Sequence, residues 1–236
     1  MKTHLTLALI ATASLSIAAE PVSLFDGKSL EGWDGDPKFW TVEDGAITGT
    51  TTKENPTKGN TFIIWEGGQP GDFELTFEYR IQGGNSGMQY RSFRASDKAG
   101  SWVVGGYQAD FDAGKQWAGT NYGERFRGIL AKRGEKVVLT NDAGSDKKGA
   151  IKRDVSKLGD AKELAAKIND YPEWNKFRIV AKGFTFQHYI NGELMSELKD
   201  EDKNARREKG IIAFQLHAGP PMKVQARNFK LTELKD

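Results

Sequence analysis

The sequence predicts an antiparallel β-sandwich, on three observations. Apolar and polar residues alternate with period two in many short runs, the pattern of half-buried strands. Only one stretch has helical spacing. No strand–helix–strand rhythm recurs, which argues against a parallel sheet. The chain has 236 residues, and its 27 glycines punctuate the apolar runs. No linker or internal repeat divides it.

The elements follow in order. Residues 1–19 hold Lys2, an apolar run over 5–17 and the small residues Ser16-Ile17-Ala18-Ala19. This is the make-up of a secretory leader, and it places a mature domain at 20–236 in a secreted or periplasmic setting. The apolar run is shorter than the ~20 residues a membrane span needs, and the mature chain has no candidate span. Trp40-Thr41-Val42 and Ala46-Ile47-Thr48 flank Asp44-Gly45, a hairpin signal. Residues 73–80 alternate strictly. Residues 86–91 and 106–112 read as strands, and 141–153 as a polar excursion. Residues 160–168 form the one helix, with Asp160 as N-cap and Glu163 three positions on. Residues 177–180 and 184–190 alternate again. Asn191-Gly192 then turns the chain into a returning strand at 193–196. Residues 200–209 are a charged loop before a strand at 211–217. The inward set is Phe77, Tyr79, Met88, Tyr90, Phe111, Phe177, Ile179, Phe214 and Leu216.

Composition excludes several classes of function. There is no cysteine, hence no disulfide, thiolate metal site or cysteine nucleophile. The core must hold the fold unaided, and 13 Phe, 6 Trp and 6 Tyr supply one. The formal charge is +2 and the basic residues lie scattered among acids, so nucleic acid is not an expected partner. No phosphate-binding glycine loop leads into a helix, and no Gly-x-Ser-x-Gly elbow occurs. Of three histidines, His4 lies in the leader. His188 sits in an alternating strand and reads as a structural or surface residue. His217 ends a strand before Ala218-Gly219-Pro220-Pro221 and faces a rim, where it is either functional or structural.

Three strands carry polar groups on the face opposite the core. Residues two apart share a face, which groups Gln89 with Arg91, Gln108 with Asp110 and Asp112, and Gln215 with His217. Amides, an Arg, a His and two Asp suit a hydroxyl-rich ligand better than bulk water. Asp110 needs a partner at mid-strand. Arg91 is the obvious one, as salt bridge or as site neighbour. Asp110 also suits a divalent cation, Ca²⁺ or another, although no cofactor is established by the residues. Asp112 is either a ligand-binding or a turn residue. Trp102 and Trp117 flank the Asp110 strand and are candidates to stack on a sugar ring, while Trp40 and Trp174 read as core.

The chain also resembles the 3-keto-disaccharide hydrolase domain family. The matching pieces run through the mature chain in order. They are Leu24-Phe25-Asp26-Gly27 with Gly32-Trp33, Gly71-Asp72-Phe73-Glu74-Leu75, Gly84-Asn85-Ser86-Gly87-Met88-Gln89-Tyr90-Arg91, Gly106-Tyr107-Gln108-Ala109-Asp110, Glu173-Trp174-Asn175, Ile190-Asn191-Gly192, Gln215-Leu216-His217-Ala218-Gly219 and Arg227-Asn228-Phe229. The chain departs from the pattern at Gln108, where many relatives carry Glu. The resemblance implies a concanavalin-like jelly roll, an all-β sandwich of two antiparallel sheets, with a ligand site on a concave face. It implies action on glycosides oxidised at C3, by C2 proton abstraction, β-elimination and hydration. His217, Asp110 and Arg91 are then the expected catalytic residues: His217 or Asp110 as base, Arg91 as enolate stabiliser. Gln89, Gln108, Gln215, Trp102, Trp117 and Asp112 are expected to bind the carbohydrate. A lectin-like module on the same fold is the alternative.

Overall fold

The computed structural model describes residues 20–95, 100–145 and 150–235. The expected leader, 1–19, lies outside the described residues. Among the described residues, seventeen strands and one short helix build two packed sheets, the all-β sandwich expected. The strands are β1 (Val22–Ser23), β2 (Trp33–Asp34), β3 (Trp40–Glu43), β4 (Ala46–Thr51), β5 (Thr61–Trp65), β6 (Phe73–Gln82), β7 (Asn85–Arg94), β8 (Val104–Asp112) and β9 (Asn121–Glu124). They continue as β10 (Gly128–Ala131), β11 (Glu135–Asn141), β12 (Ile151–Lys157), β13 (Asn175–Lys182), β14 (Thr185–Ile190), β15 (Glu193–Asp200), β16 (Ile211–Leu216) and β17 (Met222–Glu233); the helix α1 is Ala161–Ala165. The larger sheet runs β12-β11-β15-β14-β13-β6-β17-β4-β3, with β1 against β17. The smaller runs β10-β9-β8-β7-β16-β5-β2.

All nine residues of the expected inward set are buried between these sheets. Rings dominate the contact. Tyr79 stacks on Phe111 at 4.1 Å between centroids, and Tyr107 lies 4.5 Å from Phe186. Each buried ring removes roughly 150–250 Å² from water, which is how a chain without disulfides holds two sheets together. Some polar tips inside this layer are paired, while the Tyr79 hydroxyl is buried without a hydrogen-bond partner. Tyr90 accepts from Asn121 and donates to His188 Nε2 at 3.0 Å. Burial drops the His188 pKa to about 3, so this imidazole stays neutral and structural, one of the two readings its strand allowed.

Both expected hairpins form as the turn chemistry requires. Asp44-Gly45 and Asn191-Gly192 have positive φ at both central residues, the condition for a two-residue turn that matches strand twist. Three expectations change. Of the expected excursion over 141–153, Asn141 and Ile151 to Arg153 pair in a hairpin of β11 and β12. β12 is an edge strand, mostly exposed and charged, and solvated edges lose the alternation that marks a half-buried strand. β11 pairs with β15 in parallel, the one departure from antiparallel order among the described residues. The helix closes after 165: Lys167 and Ile168 bond back three residues in tighter turns, while Asp160 caps the start as expected.

Candidate functional site

The outer face of the smaller sheet carries the site. Register places Gln89 directly opposite Gln108, and Gly87 opposite Asp110. Gln108 faces Tyr122 on the next strand. Gly87 makes the row possible, because a Cβ there would lie 2.5 Å from Gln108 Cγ. The amides then bond in series. Ser92 Oγ donates to Gln89 Oε1 (2.6 Å), Gln89 Nε2 to Gln108 Oε1 (2.6 Å), and Gln108 Nε2 to Asp110 Oδ1 (2.7 Å) and Gln215 Oε1 (3.3 Å). Gln215 Nε2 reaches Glu124 Oε2 at 3.4 Å. The row ends on two carboxylates, Asp110 and Glu124.

Above this row lies a cavity of about 490 Å³, within the roughly 300–1,000 Å³ of small-ligand sites. Gln108, Asp110, Glu124, Tyr122, Trp117 and His217 line it. Gln89 and Gln215 do not; fully buried, they support the residues that do. Asp110 is buried with no ion-pair partner among the described residues. Burial raises its pKa well above the carboxylate range. The Gln108 hydrogen bond opposes the shift, and the nearby charges of Glu124 and Asp112 add to it. Burial and the same two cavity carboxylates, Glu124 and Asp110, raise the Tyr122 phenol.

His217 sits just past β16 at the rim. Its Nδ1 lies 2.5 Å from its neighbour's carbonyl, Ala218 O. A carbonyl only accepts, so Nδ1 carries the proton and neutral His217 keeps a bare Nε2. Asn60 fixes this rim from β5's side, accepting from Ala218 N (3.0 Å) and donating to Glu124 Oε1 (3.4 Å).

Arg91 is not in the site, which corrects its expected place beside Gln89 and Asp110. A bulge sets Arg91 and Ser92 against Gly106, and Arg91 takes φ +43°. The extra residue breaks the period-two rule and turns the guanidinium toward the larger sheet. There it donates to the carbonyls of Gly71 (2.9 Å), Gly183 (2.6 Å) and Arg207 (3.2 Å) and pairs with Asp72 at 2.7 Å. Arg91 is a structural clamp. Arg91→Ala is expected to destabilise the fold by about 2–3 kcal/mol, since it strands a carboxylate and several carbonyls. Urea unfolding checks this, and ligand affinity of the folded fraction should stay unchanged.

Asp112 takes its turn reading. Its carboxylate accepts from the backbone N–H of Gln116, Trp117 and Ala118, and so holds the loop that sets Trp117 on the cavity. Trp102 donates to Asp34 at 2.7 Å and does not line the cavity, because its loop folds over the β2–β5 edge. The donor set around Asp110 is a poor cage for a cation. Gln108 turns its NH₂ toward Asp110, and no group of three or more His, Asp or Glu able to hold a metal occurs among the described residues.

Glu124, Asn60 and Tyr122 escaped the sequence reading. Tyr122 and Glu124 lie in a four-residue strand beside Gly123, too short for alternation to register. Asn60 precedes β5 in a polar loop.

A curated relative, the 3-keto-disaccharide hydrolase of Bacteroides thetaiotaomicron, is 28% identical over 202 residues, which is 75% of this chain and 57% of the relative. The chain thus spans little more than half of that protein's length. Two solved structures share the fold. One is a candidate glycosyl hydrolase from Parabacteroides distasonis, with TM-score 0.55, 19% identity and coverage of 92% of this chain and 94% of that one. The other is a Bacillus subtilis protein of unknown function with a galectin-like fold, with TM-score 0.57, 12% identity and coverage of 93% and 100%. Residues 20–232 match the 3-keto-alpha-glucoside-1,2-lyase-like domain family, and the chain belongs to that family.

Proposed function

We propose that the chain cleaves glycosides whose sugar carries a ketone at C3, acting after export. One observation carries the reading: a single cavity is lined by Asp110, a buried carboxyl whose pKa burial raises, and by His217, whose Nδ1 faces a carbonyl and leaves Nε2 free for a substrate. The ketone acidifies the C2 proton. His217 Nε2 takes that proton, and the C–H electrons become the C2=C3 bond of an enediolate. Asp110, its Oδ1 held by Gln108, donates from its other oxygen to the C3 oxygen as charge develops there. A buried carboxylic acid is suited to that task. The C3 ketone then re-forms as its proton or hydrogen bond returns to Asp110, the C2=C3 electrons shift to make the C1=C2 bond, and the C1–O bond breaks. Its electrons leave with the aglycone oxygen, which takes the proton from His217. Water added across C1=C2 completes a net hydrolysis. Asp110 thus supplies what was expected of Arg91. Trp117 offers the sugar a flat face. The name of the Bacteroides thetaiotaomicron relative supports this substrate class.

A second reading rests on Asp110 and Glu124 lining the same cavity, since paired carboxylates serve ordinary glycosidases. Turnover of matched glycosides with and without the C3 ketone separates the two. The expected result is aglycone release from the 3-keto form only. Equal cleavage of both forms would transfer the assignment to the carboxylate pair. Binding without release would leave a lectin-like module.

A further inference from the structure

We infer that the leaving group of the substrate is anionic and is bound in a groove beside the catalytic cavity; the inference rests on the function proposed above. The groove measures about 840 Å³ and meets the cavity at Asn60, which lines both. Lys38, Lys58 and Arg125 line it from three separate loops, against one acid, Asp36. All three cations are exposed, and none has an ion-pair partner among the described residues. Phe39 gives the groove an apolar wall.

The sign of charge therefore reverses at Asn60. On one side lie Glu124, the buried acid Asp110 and neutral amides, a cavity lined by no lysine or arginine that suits a neutral, hydroxyl-rich ring. On the other lie three free cations. The chain as a whole is nearly balanced, with 34 basic and 32 acidic residues, so a local excess of three to one is not the background of a basic surface. A glycoside reacting at His217 must send its aglycone out of the cavity. A route past Asn60 delivers it to the cations, and a phosphate, sulfate or carboxylate on a ring lying against Phe39 would satisfy them. As the C1–O bond breaks, negative charge develops on the aglycone oxygen until His217 protonates it, and the same field favours that transient charge.

The test compares 3-keto-glucosides of a neutral phenol, of 4-hydroxybenzoate and of glucose 6-phosphate, at roughly 0.01 M and 0.3 M salt, where screening lengths differ several-fold. At low salt the two acidic substrates are expected to have KM about tenfold below the neutral one. High salt should erase the difference, and so should the triple variant K38Q/K58Q/R125Q, whose substitutions touch only exposed side chains. Preference for one acid over the other identifies the anion. Equal KM for neutral and acidic substrates, or an unaltered preference in the triple variant, overturns the inference while leaving the catalytic reading intact. A calorimetric titration with glucose 6-phosphate and with glucose needs no turnover. Tighter binding of the phosphate, lost in the triple variant, supports the groove even if no 3-keto substrate is cleaved. Equal binding removes it.

Discussion

His217→Ala is expected to lower turnover of a 3-keto-glycoside by about 10²–10⁴-fold, the usual worth of a placed proton-transfer group. The loss should fall on kcat more than on KM, because the imidazole meets a C–H bond whose breaking belongs to the transition state. Folding should be unharmed, since His217 is only part-buried at the rim and its one bond runs to its neighbour's carbonyl. His217→Gln makes the measurement sharper. It keeps size and polarity but offers no basic nitrogen, so it should be nearly as slow. Following aglycone release by wild type and both variants checks the claim. A His217→Gln enzyme within a factor of a few of wild type would remove His217 from the chemistry and leave it a rim contact.

Much of this arrangement was legible before any coordinates. Period two along β6, β13 and β14 placed the core, and the two hairpin turns were written in Asp44-Gly45 and Asn191-Gly192. The polar face of β8 was visible as Gln108 and Asp110 opposing Tyr107 and Phe111. Legibility failed where local backbone broke the period. Arg91 sits two residues from Gln89, yet one bulge residue puts it between the sheets. No rule on side-chain alternation finds a bulge whose cause is partly Gly106 on another strand. Glu124 was invisible for a different reason. Its strand has four residues, and its place beside Gln215 is a product of sheet order, which pairs elements far apart in sequence. Asp112 shows the converse. Its spacing from Asp110 suggested a shared ligand, whereas its carboxylate accepts from three of the following backbone amides.

Asp110→Asn is expected to slow turnover by up to about 10²-fold, short of the cost of deleting a donor outright, because its amide N–H still points at the developing oxyanion but is a weaker donor than a carboxylic acid, and to stabilise the protein at neutral pH. The two effects share a cause. Burial, with Glu124 and Asp112 nearby, raises the folded-state pKa of Asp110 above its unfolded value. The folded state therefore holds this proton more tightly. Its stabilising contribution is complete below the unfolded pKa, about 4, and is lost as pH rises through the folded pKa. Asparagine cannot ionise, so the variant escapes the loss. It also keeps an oxygen to accept from Gln108 Nε2. Chemical unfolding of both proteins across pH should give similar stabilities near pH 3 and a gap favouring the variant that widens with rising pH. The same titration should govern activity in the opposite sense. Wild-type turnover should fall as Asp110 loses its proton, and that alkaline limb should be absent from the residual activity of the variant. A variant less stable than wild type at every pH would show that Asp110 is held ionised in the fold, and would take away the donor on which the proposed enolate stabilisation depends.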